Sequence, residues 1–231
     1  MQPSLFLDSV AFYGRTLREY RAFFQLSDAD LNSRRILDVS AGCASFCAEA
    51  TRLGAEVTAV DPLYDRSPTA LAALARHDIA QVLARARSGE EGFVFSFFKD
   101  FDEVERLRRA ALESFLSDYL HGRAQQRYVP GALPELPFAD DSFDCALCGH
   151  FLLLYAYQFS EAFHRAALGE LLRVAREVRL YPLIQPDGTA PVFLDSLLLE
   201  LRSQGHRATI VPLEYEFFRG ANQMLQLTRD G

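Results

Sequence analysis

The chain has 231 residues, 49% of them apolar, and a formal net charge of −7. That is enough apolar material for a full core without metal or disulfide support, and no long basic tract is present to follow a nucleic-acid backbone. No apolar run approaches the ~20 residues of a membrane span and no secretory leader pattern opens the sequence, so the expectation is a single cytoplasmic domain over residues 1–231 that acts on a small molecule.

In chain order, Leu5 to Phe24 spaces its apolar residues as a helix does, with Tyr13, Arg15 and Tyr20 interleaved, and is expected to form a covering helix within residues 1–30. Ser27 to Asp30 reads as a loop or short capped turn. Ile36 to Val39 is a short buried strand. Ala41-Gly42 then gives a turn with little side-chain bulk, and Phe46 to Leu53 a helix that Gly54 stops. Val57 to Val60 makes a second buried strand ending in Asp61. That carboxylate follows Gly42 by about the ~20 residues at which it can bond both hydroxyls of a ribose lying across the strand ends. Ser40 and Ser45 stand where a G-x-G-x-x-G motif has its first and third glycines, so a nicotinamide-dependent oxidoreductase is disfavoured.

Residues 62–126 are far more chain than links a strand to its helix, and the excess reads as a helical cap. Within it Pro68 to Arg87 is alanine-rich and helical, and Ser88 to Gly92 is a break. Phe101 to Tyr119 is a charged amphipathic helix ending near Gly122. Phe93, Phe95, Phe97 and Phe98 between them fit cap core better than pocket lining. Arg127 to Pro130 is a short edge strand, because Pro130 cannot donate to a ladder. A two-proline loop leads through Phe143-Asp144 into an apolar strand, Cys145 to Cys148, and a polar break at Gly149-His150. Phe159 to Ala175 reads as a helix, Glu177 to Pro182 as a strand, and Phe193 to Gln204 as a helix stopped by Gly205. Ala208 to Phe218 and Gln223 to Thr228 alternate like antiparallel strands. Cys43, Cys47, Cys145 and Cys148 superficially offer a zinc pattern. Residues three apart in a strand point to opposite faces, however, so they read as small apolar fillers and no metal site is expected.

The turn after the first strand, the acid ending the second, and the segment Leu133-Pro-Glu-Leu-Pro-Phe-Ala-Asp-Asp-Ser-Phe-Asp together resemble the class I S-adenosylmethionine-dependent methyltransferases, particularly the small-molecule type. The resemblance covers Leu31 to about Ile184 by motif and the rest by order of elements. It implies an α/β, Rossmann-like, seven-stranded, mostly parallel sheet with an antiparallel C-terminal strand and a helical cap insertion. It also implies S-adenosyl-L-methionine as cofactor, with S-adenosyl-L-homocysteine as product.

By the same resemblance, Asp38 orients the methionine amino group, Ser40, Ala41 and Gly42 form the backbone turn beside the tail, and Asp61 holds the ribose. Pro62, Leu63, Ala132 and Leu133 border the adenine; Ala132 stands where the family often has an aspartate, so the side-chain acceptor for the adenine amino group is missing. Cys148 ends the fourth strand beside the tail. Tyr13, Arg15 and Tyr20 on the covering helix can close over the tail or bind an anionic group of cofactor or substrate. His150, with an ordinary pKa near ~6.5, is the candidate general base. His164, among apolar residues, reads as structural, and Tyr155 and Tyr157 as packing rather than pocket lining. The function implied is methyl transfer to the O, N or C of a small organic acceptor. The alternative is a catalytically silent cofactor-binding or regulatory module, made credible by the departures at Ser40 and Ala132.

Overall fold

In a computed structural model that describes residues 6–229, the seven strands are β1 (Arg35–Val39), β2 (Glu56–Asp61), β3 (Tyr128–Pro130), β4 (Phe143–Gly149), β5 (Ala175–Tyr181), β6 (His206–Pro212) and β7 (Gln223–Arg229). They form one sheet in the order β3-β2-β1-β4-β5-β7-β6, parallel from β3 to β5, with β7 antiparallel to both of its neighbours. This is the seven-stranded, mostly parallel arrangement expected.

The strands at the centre are apolar on both sides because helices cover both faces. Ile36, Val57, Ala59, Cys145 and Leu147 pack into one core with residues of α1 (Leu17–Phe23), α3 (Phe46–Arg52), α4 (Pro68–Ser88) and α5 (Phe101–Ala124). Leu37, Val39, Val60, Ala146, Cys148, Val178 and Leu180 face the other way, against α6 (Glu161–Val174) and α7 (Leu194–Ser203). A six-residue helix, α2 (Asp28–Ser33), stands before β1, its Ser27 N-cap and Asp30 forming a reciprocal capping box.

Three expectations change. The helix expected over Leu5 to Phe24 is only α1. Residues 6–16 form instead a strap without regular secondary structure, bent at Asp8 and Ser9, and Leu5 lies outside the described residues. The helix starts late because Thr16 caps it, its side chain accepting from the Glu19 N–H while Glu19 reaches back to the Thr16 N–H. The strap must also stay non-helical for Gly14 to meet the glycine turn. The strand expected to run from Ala208 to Phe218 ends at Pro212. Beyond it the chain turns inward, leaving Tyr215 buried and Phe217 and Phe218 packed against the core. Finally, the segment read as a cap is partly a layer of the fold. Phe115 and Tyr119 of α5 are fully buried with Tyr64 and Tyr128, Arg127 pairs with Asp118 at 2.6 Å, and α4 lies along α5.

Register sets where a ligand can meet the sheet. Val39 stands opposite Val60 on one side and Cys148 on the other, so Ser40, Asp61 and Gly149 leave the strands on one level. The direction of strand succession reverses between β1 and β4, and in open α/β sheets such a switch point leaves a crevice at the carboxyl ends of the strands.

Candidate functional site

The turn after β1 is built from strained backbone. Ser40 has φ +54° and Gly42 φ +58°, in the left-handed region where glycine is at ease and serine is not. A Cβ at Gly42 would stand 2.7 Å from the Tyr13 carbonyl oxygen, because the strap crosses directly over the turn. The crossing is fastened at several points. The Ser45 N–H donates to the Arg15 carbonyl at 3.0 Å and the Cys43 thiol to the Phe12 carbonyl at 3.6 Å. The Phe12 N–H donates to Asp78 of α4 at 2.7 Å, and the Leu7 and Ala11 N–H groups donate to the Tyr157 and Tyr155 hydroxyls.

Next to the turn lie the two strand-end acids. Asp61 is 6% exposed; its oxygens accept from the Gly42 and Leu63 N–H groups, both at 3.0 Å. Burial pushes its carboxyl up to about 6, against those two donors. Asp38 points toward α1, where the Tyr20 hydroxyl donates to its oxygens at 3.0 and 3.1 Å. Burial, with the Asp61 charge adding to it, raises the Asp38 carboxyl well above the usual carboxylate range in spite of that bond.

Beside the strap, at the switch point, a cavity opens between the ends of β1, β4 and β5, the C-terminal half of α4, the start of α5 and the segment after β6. Its walls combine rings, Tyr13, Tyr155, Tyr157, Tyr181 and Tyr215 with Phe93, Phe101, Phe151, Phe217 and Phe218, and aliphatic residues such as Val82, Leu83 and Leu154. Its charged groups are Arg15, Arg85 and Arg108. The Tyr13 ring lies between two of these, 5.2 Å from the Arg15 guanidinium carbon and 5.3 Å from that of Arg108. Arg108, 2% exposed, grips the fully buried Glu19 with both terminal nitrogens, at 2.7 and 2.6 Å, which ties α5 to α1.

Of the residues singled out in the sequence, Tyr13, Arg15, Ser40 and His150 line this cavity, and so do Phe93, Tyr155 and Tyr157, which were expected to serve packing rather than a pocket. Gly42 lies under the strap and Asp38, Ala41 and Asp61 are buried, all outside the cavity wall, and Cys148 is buried in the core on the α6 face. Tyr20 does not reach the cavity; it stacks on Phe46 at 4.3 Å and serves Asp38. Pro62 and Ala132 are exposed, Leu63 is half-buried and Leu133 buried, forming a shelf outside the cavity wall.

His150 sits in the left-handed region at φ +56°, its ring edge-on to Phe23 and Tyr181, and its Nδ1 is buried without a partner among the described residues. Burial, then the charges of Arg15 and Arg108, hold the imidazole neutral well below its ordinary pKa. A base so depressed and partly walled off drives proton removal weakly. His164 is fully buried, with Nδ1 2.8 Å from the Ser160 carbonyl oxygen and Nε2 2.9 Å from that of Leu152, and joins α6 to the loop after β4.

Arg108, Tyr181 and Tyr215 do not stand out in the sequence. Tyr181 was open to detection, since it ends a strand beside the switch point. Arg108 was not: on a charged helix it reads as a solvated residue, and its partner is distant in the chain.

No family model matches the chain. The uncharacterized protein MJ0045 of Methanocaldococcus jannaschii is 34% identical over 224 residues, a span that covers 96% of this chain and 98% of that protein. Among solved structures, the glycopeptide N-methyltransferase MtfA, complexed with S-adenosyl-L-methionine, superposes with a TM-score of 0.50 at 13% identity, over 99% of this chain and 91% of that one. Magnesium protoporphyrin IX methyltransferase (ChlM) from Synechocystis, with bound SAH, has a TM-score of 0.43 at 12% identity, over 91% and 78% of the two chains.

Proposed function

We propose that this chain, which belongs to one family with the uncharacterized M. jannaschii protein and has the class I S-adenosylmethionine-dependent methyltransferase fold, transfers a methyl group from S-adenosyl-L-methionine to the O, N or C of a small organic acceptor. The observation that carries this reading is the common level of Ser40, Asp61 and Gly149 at the switch point, next to an aromatic cavity that Ser40 and Gly149 help to line.

The donor set fits the cofactor. Asp61 is a desolvated carboxylate whose oxygens keep lone pairs beyond the two backbone bonds, so ribose hydroxyls can complete its shell. Leu63, half-buried and bonded to Asp61 through its N–H, offers apolar surface there, and Tyr13, Arg15 and Ser40 offer polar contacts at the cavity end. When bound, the cofactor supplies an electrophilic methyl group that passes to the acceptor's lone pair as the sulfonium sulfur keeps the bonding electrons. The chain's own part is positioning and water exclusion: the rings orient a flat acceptor and the strap closes the top. His150 can accept a hydrogen bond from the acceptor but is a weak base.

The strap resting on the turn also favours a second reading, a silent module that binds the cofactor without turning it over. One measurement tests the cofactor common to both readings and a second separates them. S-adenosyl-L-homocysteine is expected to raise the melting temperature and NAD to leave it unchanged; a hundredfold excess over Kd corresponds to about 2.7 kcal/mol. A methylated product in an extract supplied with S-adenosylmethionine would then exclude the silent module.

The Asp61 carboxyl adds a pH signature. Its folded value of about 6 means that the free protein gains a proton there as pH falls, whereas ribose hydroxyls bind the ionised form. Affinity for S-adenosyl-L-homocysteine is therefore expected to fall about tenfold per pH unit below 6, with a proton released on binding near pH 6. Calorimetry in buffers of different ionisation enthalpy reads both. Affinity flat between pH 5 and 7 would remove Asp61 from the ribose.

A further inference from the structure

The cavity's charge runs against that of the chain. The protein carries a net −7, yet among the described residues the cavity wall holds three arginines and no aspartate or glutamate. Two of the arginines are engaged: Arg108 by both oxygens of Glu19, and Arg85 by the Phe6 carbonyl. Arg15 is not. Its half-buried guanidinium leans on the Tyr13 ring and has no hydrogen-bond or ion-pair partner among the described residues. Glu19, four residues on, makes no hydrogen bond or ion pair with it, its oxygens being held by Arg108 and Thr16, and acts on Arg15 only through its charge at longer range.

A half-buried guanidinium whose N–H groups have no acceptor gains most from a planar anion, since its fork matches a carboxylate in two parallel bonds. The neighbouring surfaces are the rings of Tyr13, Tyr155, Tyr181 and Tyr215, which favour a flat, polarisable body over a flexible aliphatic one. Resting on the methyltransferase reading, we propose that the acceptor is an aromatic carboxylate, its carboxyl group on Arg15 and its ring between these tyrosines. The rest of the wall carries no carboxylate that would repel such a ligand or attract an amine.

Titration calorimetry with four probes tests this: 4-hydroxybenzoate, the neutral 4-hydroxybenzamide, aliphatic hexanoate, and phenyl phosphate. 4-Hydroxybenzoate is expected to bind at least about tenfold more tightly than each of the others. Arg15→Gln should bring it down to the level of the amide, and Arg15→Lys should retain part of the preference. Because the Arg15 side chain makes no hydrogen bond or ion pair among the described residues and only leans on the Tyr13 ring, both variants should melt close to the wild type. The proposal falls if the amide or hexanoate matches the benzoate, if phenyl phosphate exceeds it, or if none of the probes binds. It also falls if Arg15→Gln keeps the preference for the benzoate and loses S-adenosyl-L-homocysteine instead, which would give Arg15 to the cofactor. Binding of 4-hydroxybenzoate by a protein that ignores S-adenosyl-L-homocysteine would overturn the methyl-transfer reading while leaving the cavity's ligand class in place.

Discussion

Replacing Gly14 by alanine is expected to lift the strap off the glycine turn and lower the melting temperature by roughly 6–12 °C, the equivalent of about 3 kcal/mol in a chain of this length. A Cβ at this position would stand 2.1 Å from the Cys43 carbonyl oxygen and 2.5 Å from its carbon. Those are backbone atoms of the turn, so no rotamer change relieves the overlap. If the strap yields, the Ser45–Arg15 and Cys43–Phe12 bonds go with it, and Phe12, now 2% exposed, meets water. Hydrogen exchange should rise across residues 6–16, and Tyr13 and Arg15 should leave the cavity. A control comes from Gly169 inside α6, where an added Cβ meets nothing within 4 Å. Alanine there should stabilise by about 1 kcal/mol through helix propensity. Unchanged melting and exchange in Gly14→Ala would mean that the strap does not rest on the turn.

Arg108→Met is expected to cost about 3–5 kcal/mol, because it leaves Glu19 charged, fully buried and without its partner. The pH dependence gives the effect a distinctive form. In the wild type, burial alone would raise the Glu19 carboxyl, but the Arg108 guanidinium outweighs burial and holds it below its ordinary value of 4.5. The pair's contribution is therefore complete above 4.5 and lost as pH falls through the lower folded value. In Arg108→Met burial prevails and the sign reverses: the folded carboxyl rises, and its penalty grows as pH climbs from 4.5. The gap between the two proteins in urea melts should thus be widest at neutral pH and narrow toward pH 4. Glu19→Gln/Arg108→Met, which removes the stranded charge, should recover much of the loss. A gap independent of pH would show that Arg108 contributes packing alone.

Much of the scaffold was readable in the residues. Ile36 to Val39 and Val57 to Val60 are apolar runs too short for helices, each ending at a polar break, and Asp61 is placed by strand length alone. What escaped depends on contacts between segments distant in the chain. The apolar spacing from Leu5 to Phe24 suits a helix. Gly14 and the Thr16–Glu19 cap override it, and only the approach to Cys43 explains why Gly14 is there. Arg108 looks like any arginine of a charged helix until α1 brings Glu19 to it. The cavity draws on the strap, α4, α5, the strand ends and the segment after β6, so no stretch of sequence carries its outline. Conversely Ala132, chosen from its place before the two-proline loop, proves exposed.

The four thiols provide the protein with a built-in clock. Burial pushes Cys47 up to about 11 and Cys43, Cys145 and Cys148 up to about 12, so none reacts with an alkylating reagent while it stays in place. They are released by different events. Cys145 and Cys148 lie in the central strand β4 and should label only as the sheet comes apart, whereas Cys43 is roofed by the strap and bonded to Phe12. Labelling of Cys43 ahead of the strand pair would time each lifting of the strap without any introduced probe, and a ligand that pins the strap would bring the two rates together.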